Sequence, residues 1–230
     1  MLNLRVVHPV NVTDDHIGRV PKLIGRWGAS SVLYIGKWER DNKPGNVVEI
    51  DINTLYQLYG NDVKLPYDDD SFDHCICNSL HSIANPYGLA DEIYRVITKE
   101  LYVEAPFLTP YSTSKDDLYR FTPRGLTTLF NKFTVDELGV INGPGSTLHW
   151  IKTVYDTLLF DRNAPISNID KAMADSNYME AYNIFAMHNE DIKDTDLVLN
   201  SREHACVIAC SIYLLAHKEL KSDSGDIVPE

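Results

Sequence analysis

Basic residues are scarce in this chain. Lys and Arg number 21 against 33 Asp and Glu, which leaves a formal net charge of −12 over 230 residues. No Lys/Arg run relieves that balance anywhere in the sequence. A nucleic-acid backbone is therefore excluded as the main partner, because neutralising phosphates needs a basic surface. Cysteine is also scarce: Cys75, Cys77, Cys206 and Cys210 form no Cys-x-x-Cys pair, and no His/Cys set has zinc spacing. They read as small buried apolar side chains of a reducing compartment, so the expected location is cytoplasmic. No apolar run reaches the roughly 18 residues a membrane span needs, and the first residues lack a basic-plus-apolar leader, so no membrane partner is expected.

What is present is enough for one full core. Hydrophobic residues make up 44% of the chain, too many for a disordered segment. The length suits a single domain over 1–230. Residues 1–30 read as an N-terminal arm and helix, and 151–200 as a helical or irregular insertion or lid.

Short apolar strands alternate with amphipathic helices. Strand one is read at 31–35, strand two at 46–50, a short third strand near Val63, and strand four over 73–78. Asn85 caps a helix with Pro86 at its first position, where the missing N–H does no harm. Leu89, Ile93, Val96 and Ile97 give that helix one apolar stripe. Strand five follows at 101–105, then a Pro/Ser/Thr/Tyr-rich loop, a helix opened by Thr122-Pro123, and a sixth strand from Phe133 to Val140. Periodicity does not separate strand from helix over Cys206–Ala216. The flanking charges and the length favour a strand. Such alternation predicts an α/β, doubly wound, mostly parallel sheet. Its ligand crevice lies at the carboxyl ends of the strands, among the loops after Gly36, Asp51, Asn78 and Phe107.

Gly36 after strand one lets a ligand approach the backbone closely. Asp51 after strand two can accept hydrogen bonds from a ribose diol. His81, just beyond strand four, is the candidate general base, since its unperturbed pKa is near neutral. Tyr111, Tyr119 and Arg120 are candidates for holding a sugar or anionic substrate, Arg120 through its planar donor fork. His74 lies within a strand and reads as packed. The triplet Asp68-Asp69-Asp70 reads as a solvated turn, so no metal site is expected.

The order Val32–Gly36, Val47–Asp51, Leu65-Pro66-Tyr67-Asp68-Asp69-Asp70-Ser71-Phe72-Asp73 and Asp91–Ile97 into Glu104-Ala105-Pro106-Phe107 resembles the class I S-adenosylmethionine-dependent methyltransferases, in particular their small-molecule type 11 branch. Ala105–Tyr111, Asp117–Thr122, Gly125-Leu126, Gly143–Ser146 and Trp150 are similar to a subgroup found beside glycan-building enzymes. The resemblance implies a Rossmann-like seven-stranded sheet with an antiparallel last strand inserted between strands five and six. It implies S-adenosylmethionine as cofactor, contacted by Gly36, Asp51 with Ile52, Asp62 with Val63, and Asn78. It also implies methyl transfer to a small-molecule or carbohydrate hydroxyl.

The sequence departs from the family at the first cofactor motif. Tyr34 stands where the family has an acid two residues before the glycine, and Lys37-Trp38-Glu39-Arg40 replaces the further glycines. Ten residues, Lys37 to Asn46, separate Gly36 from Val47, and they include Pro44 and Gly45. That is too short for the usual helical crossover, so a loop or single turn is expected there. The glycine pair before strand five is absent as well. Two further readings follow. One is a catalytically inactive methyltransferase-fold protein with a binding or assembly role, for which a protein partner is expected. The other is a different nucleotide ligand in a remodelled crevice.

Overall fold

The computed structural model describes residues 15–38, 42–51, 54, 63–109, 117–142, 147, 151 and 210–219. Ile52, Asp62 and Tyr111 lie outside the described residues, as do the arm before residue 15 and the 152–200 insertion.

Strands that are apolar on both sides are buried on both sides. β1 (Val32–Ile35) sends Val32 and Tyr34 to one core and Leu33 and Ile35 to the other. β2 (Val47–Ile50), β3 (Phe72–Cys77) and β4 (Ile97–Pro106) divide their residues in the same way. Helices on each face are what make two buried faces stable in a parallel sheet. α1 (Asp15–Trp27) covers one face with Val20, Leu23, Ile24 and Trp27. α2 (Pro86–Val96) and α3 (Pro123–Leu129) cover the other with Leu89, Ile93, Val96, Leu126 and Leu129. Each fully buried aliphatic side chain contributes on the order of 1.5–3 kcal/mol.

Both α2 and α3 start as their sequences predict. The Asn85 side chain accepts from Gly88 N–H at 3.0 Å, and the Thr122 hydroxyl accepts from Gly125 N–H at 3.0 Å. In each helix a proline occupies the first turn, where no intrahelical partner is lost.

With β5 (Thr134–Asn142) and β6 (Ser211–His217), the strand order is β2-β1-β3-β4-β6-β5. The first four strands are parallel, and β6 runs antiparallel between β4 and β5. The expected insertion of the last strand is present, and its apolar run is a strand rather than a helix.

Two details differ from expectation. Six strands rather than seven occur among the described residues, and Val63 to Leu65 is not a strand. The polar backbone groups there are taken by α2 side chains instead of a strand neighbour. Leu65 N–H donates to Glu92 at 2.8 Å, and the Leu65 and Tyr67 carbonyls accept from Arg95 at 3.2 and 2.8 Å. The other difference is that β4 begins at Ile97, directly at the end of α2 and four residues before the expected start at 101.

The first crossover carries no regular helix. Lys37, Trp38 and Asn42–Asn46 are all non-helical, which leaves at most three residues between them. Asn46 ties the segment to the start of β1 by donating to the Gly28 and Ser30 carbonyls at 3.1 and 2.7 Å.

Candidate functional site

Parallel register brings the ends of β1, β2 and β3 to one edge. Ile35 pairs with both Ile50 and Cys77, so Gly36, Asp51 and Asn78 are the next residues out on three adjacent strands. The backbone closes them together: Gly36 N–H donates to Ile50 at 3.1 Å, and Asn78 N–H donates to Ile35 at 3.2 Å. This carboxyl edge is where the sequence places its crevice.

Gly36 has φ +145°, a conformation open to glycine. A Cβ at Gly36 would lie 1.9 Å from Asn78 Oδ1 and 2.9 Å from the Ser79 hydroxyl. The space above Gly36 is thus taken by the protein's own Asn78. The carboxamide is clamped from two sides. Its Nδ2 donates to the Tyr34 hydroxyl at 2.6 Å, and Ser79 Oγ donates to its Oδ1 at 3.1 Å.

At the start of the crossover, the Trp38 ring meets Tyr34 edge-on at 5.1 Å. Trp38 backbone N–H donates to Glu49 Oε1 at 2.8 Å, and Lys43 Nζ reaches Glu49 Oε2 at 3.2 Å. Trp38 Nε1 is buried and has no hydrogen-bond partner.

His81 sits in a single 3₁₀ turn, Leu80–Ser82, just after Asn78. Its carbonyl accepts the Leu118 and Tyr119 amides, both at 3.1 Å. Its Nδ1 is buried and has no hydrogen-bond partner. Burial holds the imidazole pKa below its ordinary value. The Asp117 carboxylate opposes that shift, and the Arg120 guanidinium adds to it. The ring is therefore neutral at neutral pH, with a nitrogen able to accept a proton.

Tyr119 and Arg120 flank the same turn and stitch the loop down. The Tyr119 hydroxyl donates to the Ala84 carbonyl at 2.9 Å. Arg120 forks onto Asp117, with Nη2 to Oδ2 at 2.8 Å, and donates to the Tyr119 and Thr109 carbonyls at 3.0 and 3.3 Å. Val63 is half-buried and packs against the core that contains α2. Among the expected site residues that are described, Gly36, Asp51 and Asn78 come together by strand register, and His81, Tyr119 and Arg120 by the turn and loop after β3.

Glu49, Ser79, Glu92 and Arg95 were not among the residues singled out from sequence. The Glu92/Arg95 spacing of three on a helix was the available signal. Glu49 gave none, because its partners come from a loop. Among the described residues, no group of three or more His, Cys, Asp or Glu side chains is placed to hold a metal ion. Two of the three acids of the triplet engage bases: Asp69 meets Arg95 at 2.9 Å and Asp70 meets Lys218 at 2.8 Å.

S-adenosylmethionine has a nucleoside half and a charged amino-acid half, and the two fare differently here. Asp51 beside Gly36 suits a ribose diol. Among the described residues the amino-acid half lacks its partners. Tyr34 supplies no carboxylate for an ammonium, no helix N-terminus follows Gly36 among those residues to receive a carboxylate, and Asn78 fills the approach to the glycine. The residues present do not fit that half.

The sequence model of the family described as methyltransferase domain matches residues 32–102. No curated protein matches the chain. Among solved structures, SpnF, a (4+2)-cyclase, is similar at 15% identity and TM-score 0.46, covering 88% of this chain and 81% of its own. An S-adenosylmethionine-dependent methyltransferase from Aquifex aeolicus is similar at 13% identity and TM-score 0.37, covering 55% and 87%. A chain from the complex of the Haloferax volcanii Trm112 methyltransferase activator with a methyltransferase is similar at 13% identity and TM-score 0.44, covering 93% and 100%. Likenesses of this order say nothing about function. The matched stretch runs from the start of β1 into β4, so over residues 32–102 the chain is similar to the methyltransferase domain family.

Proposed function

We propose that this chain is a methyltransferase-fold binding protein that uses the crevice at the carboxyl edge to hold a small molecule and does not transfer a methyl group from S-adenosylmethionine. The observation that carries the reading is two of the three buried polar atoms that have no hydrogen-bond partner among the described residues, Trp38 Nε1 and His81 Nδ1; the third, His74 Nδ1, lies 3.6 Å from Glu100. They belong to the segments that follow β1 and β3, two of the three strands whose ends form the crevice. A buried polar group left unpaired costs about 1–3 kcal/mol, and native proteins rarely tolerate it without a reason. A bound ligand carrying an acceptor for the indole N–H and a partner for the imidazole removes that cost. The mismatch at the amino-acid half separates this from the family's usual use of the site.

A second reading, methyl transfer to a small-molecule or carbohydrate hydroxyl, has His81 in its favour. A neutral imidazole in a crevice can take the proton that a hydroxyl loses as it is methylated. Tyr119 and Arg120 would then border the acceptor, with Tyr111 on the same loop. Protein-partner surfaces within 161–200 belong to the assembly role and fall outside the described residues.

Calorimetry with S-adenosylmethionine decides between the two. Silence at millimolar concentration supports the binding reading. Micromolar affinity, with transfer of a labelled methyl group to a hydroxylated acceptor, overturns it in favour of the second.

A further inference from the structure

We infer that the crevice admits a nucleoside with an intact ribose diol and no charged 5′ tail, and that the Asn78 carboxamide is the group that turns the tail away. This names the ligand class for the crevice and rests on reading it as a binding site.

Three features of one corner carry the inference. The first is steric. Asn78 Oδ1 stands 1.9 Å from where a Gly36 Cβ would be, so the glycine makes room for Asn78 before it makes room for a ligand. The carboxamide does not swing away freely, because it is held by Tyr34 at 2.6 Å and Ser79 at 3.1 Å. Displacing it breaks two hydrogen bonds and leaves a half-buried amide to be satisfied elsewhere.

The second is electrostatic. A ligand carboxylate at this corner needs donors, and two of those described on the crossover are already committed. The Trp38 backbone N–H and the Lys43 ammonium both serve Glu49. An incoming carboxylate would compete with a carboxylate that is already seated, and like charges within a few ångströms repel. The formal net charge of −12 gives no general compensation. A ligand ammonium finds the Tyr34 hydroxyl where a carboxylate would be needed, and that hydroxyl already accepts from Asn78.

The third is the acid at the end of β2. Asp51 stands one residue past Ile50, beside Gly36, in the place where an acid after the second strand serves a ribose diol. A neutral nucleoside uses that end of the crevice and asks nothing of the blocked end.

The full-length chain is titrated by calorimetry with adenosine, 5′-methylthioadenosine, 2′,3′-dideoxyadenosine and S-adenosylmethionine. The expected result is that adenosine and 5′-methylthioadenosine bind at least about tenfold more tightly than S-adenosylmethionine. Removing the diol should cost about tenfold or more. Asn78→Gly should narrow the gap between 5′-methylthioadenosine and S-adenosylmethionine, since it opens the space over Gly36. If Asn78→Gly does not fold, Tyr34→Phe releases one side of the clamp and should narrow the gap in the same direction. Equal or tighter binding of S-adenosylmethionine to the parent protein overturns the inference and the binding reading together. No binding of either neutral nucleoside at millimolar concentration overturns the inference alone. Equal binding of the dideoxy compound overturns the assignment of the diol to Asp51.

Discussion

Gly36 and Asn78 act as one unit, so single substitutions there should not add. Gly36→Ala places a methyl group against the Asn78 carboxamide and forces a φ of +145° on a residue with a side chain. Such backbone strain costs roughly 1–3 kcal/mol before any clash is counted. The expected loss in urea denaturation is therefore at least about 2 kcal/mol. In the Gly36→Ala/Asn78→Ala double variant the clash with Asn78 disappears while the strain and the 2.9 Å approach to the Ser79 hydroxyl remain. Its loss should fall short of the sum of the two singles, and strict additivity would show that the two side chains do not meet.

His74 is a second residue with a testable charge state. It is buried at 4% exposure, stacked on Trp27 with ring centroids 4.2 Å apart, and its Nδ1 lies 3.6 Å from Glu100. Burial lowers its pKa more than Glu100 and Asp73 raise it, and Lys99 and Arg26 push it down further. The folded pKa is thus below the unfolded value of about 6.5. The unfolded chain binds more protons as pH falls below about 6.5, so this contribution to stability is intact above that pH and lost beneath it. His81, whose pKa is also lowered, adds in the same sense. The urea midpoint should fall between pH 7.5 and pH 5.5. His74→Phe, which keeps the stack, should flatten part of that slope, and an unchanged slope would remove His74 from the account.

At the scale of elements, α2 does more than cover a sheet face. Glu92 and Arg95 hold the backbone from Leu65 to Tyr67, and Lys218, just past β6, holds the helix's own end by donating to the Tyr94 and Ile97 carbonyls at 3.1 and 2.9 Å. Arg95 lowers the Glu92 pKa chiefly through their hydrogen bond. Arg95→Met should free Leu65 to Tyr67, which amide hydrogen exchange at Leu65 would register as lost protection, while the strands exchange as before.

The sequence was most legible where one local rule decided the outcome. Asn85-Pro86 and Thr122-Pro123 name their helix starts because a cap and a first-turn proline act within four residues. The shortened crossover was legible from its length and from Pro44. The third strand was not, because Leu65 meets side chains brought from 27 and 30 residues away. The Asn78 clamp was hidden for the same reason. Its two ends, Tyr34 and Asn78, are 44 residues apart and meet only through β1–β3 register.

Taken as a whole, the molecule carries a formal net charge of −12. An anionic ligand should feel that field. Adenosine 5′-monophosphate should bind more weakly than adenosine at low ionic strength, and the gap should shrink as salt shortens the Debye length toward about 8 Å. Titrations at two salt concentrations test this, and a phosphate that strengthens binding at low salt would point to a local basic pocket instead.

One further property follows from the join between α2 and β4. The Ile97 amide still donates to the Ile93 carbonyl as the helix's last bond, while the residue itself is already extended and pairs with Phe72 in the sheet. Helix and strand therefore share a residue and have no hinge between them. No turn lies between them to take up an inserted residue. Two glycines placed between Val96 and Ile97 should therefore break the Ile97–Ile93 hydrogen bond and move the Leu89, Ile93 and Val96 stripe off its seat on the sheet. Urea denaturation should register a clear loss of stability, and an unchanged midpoint would show that the direct join is not needed.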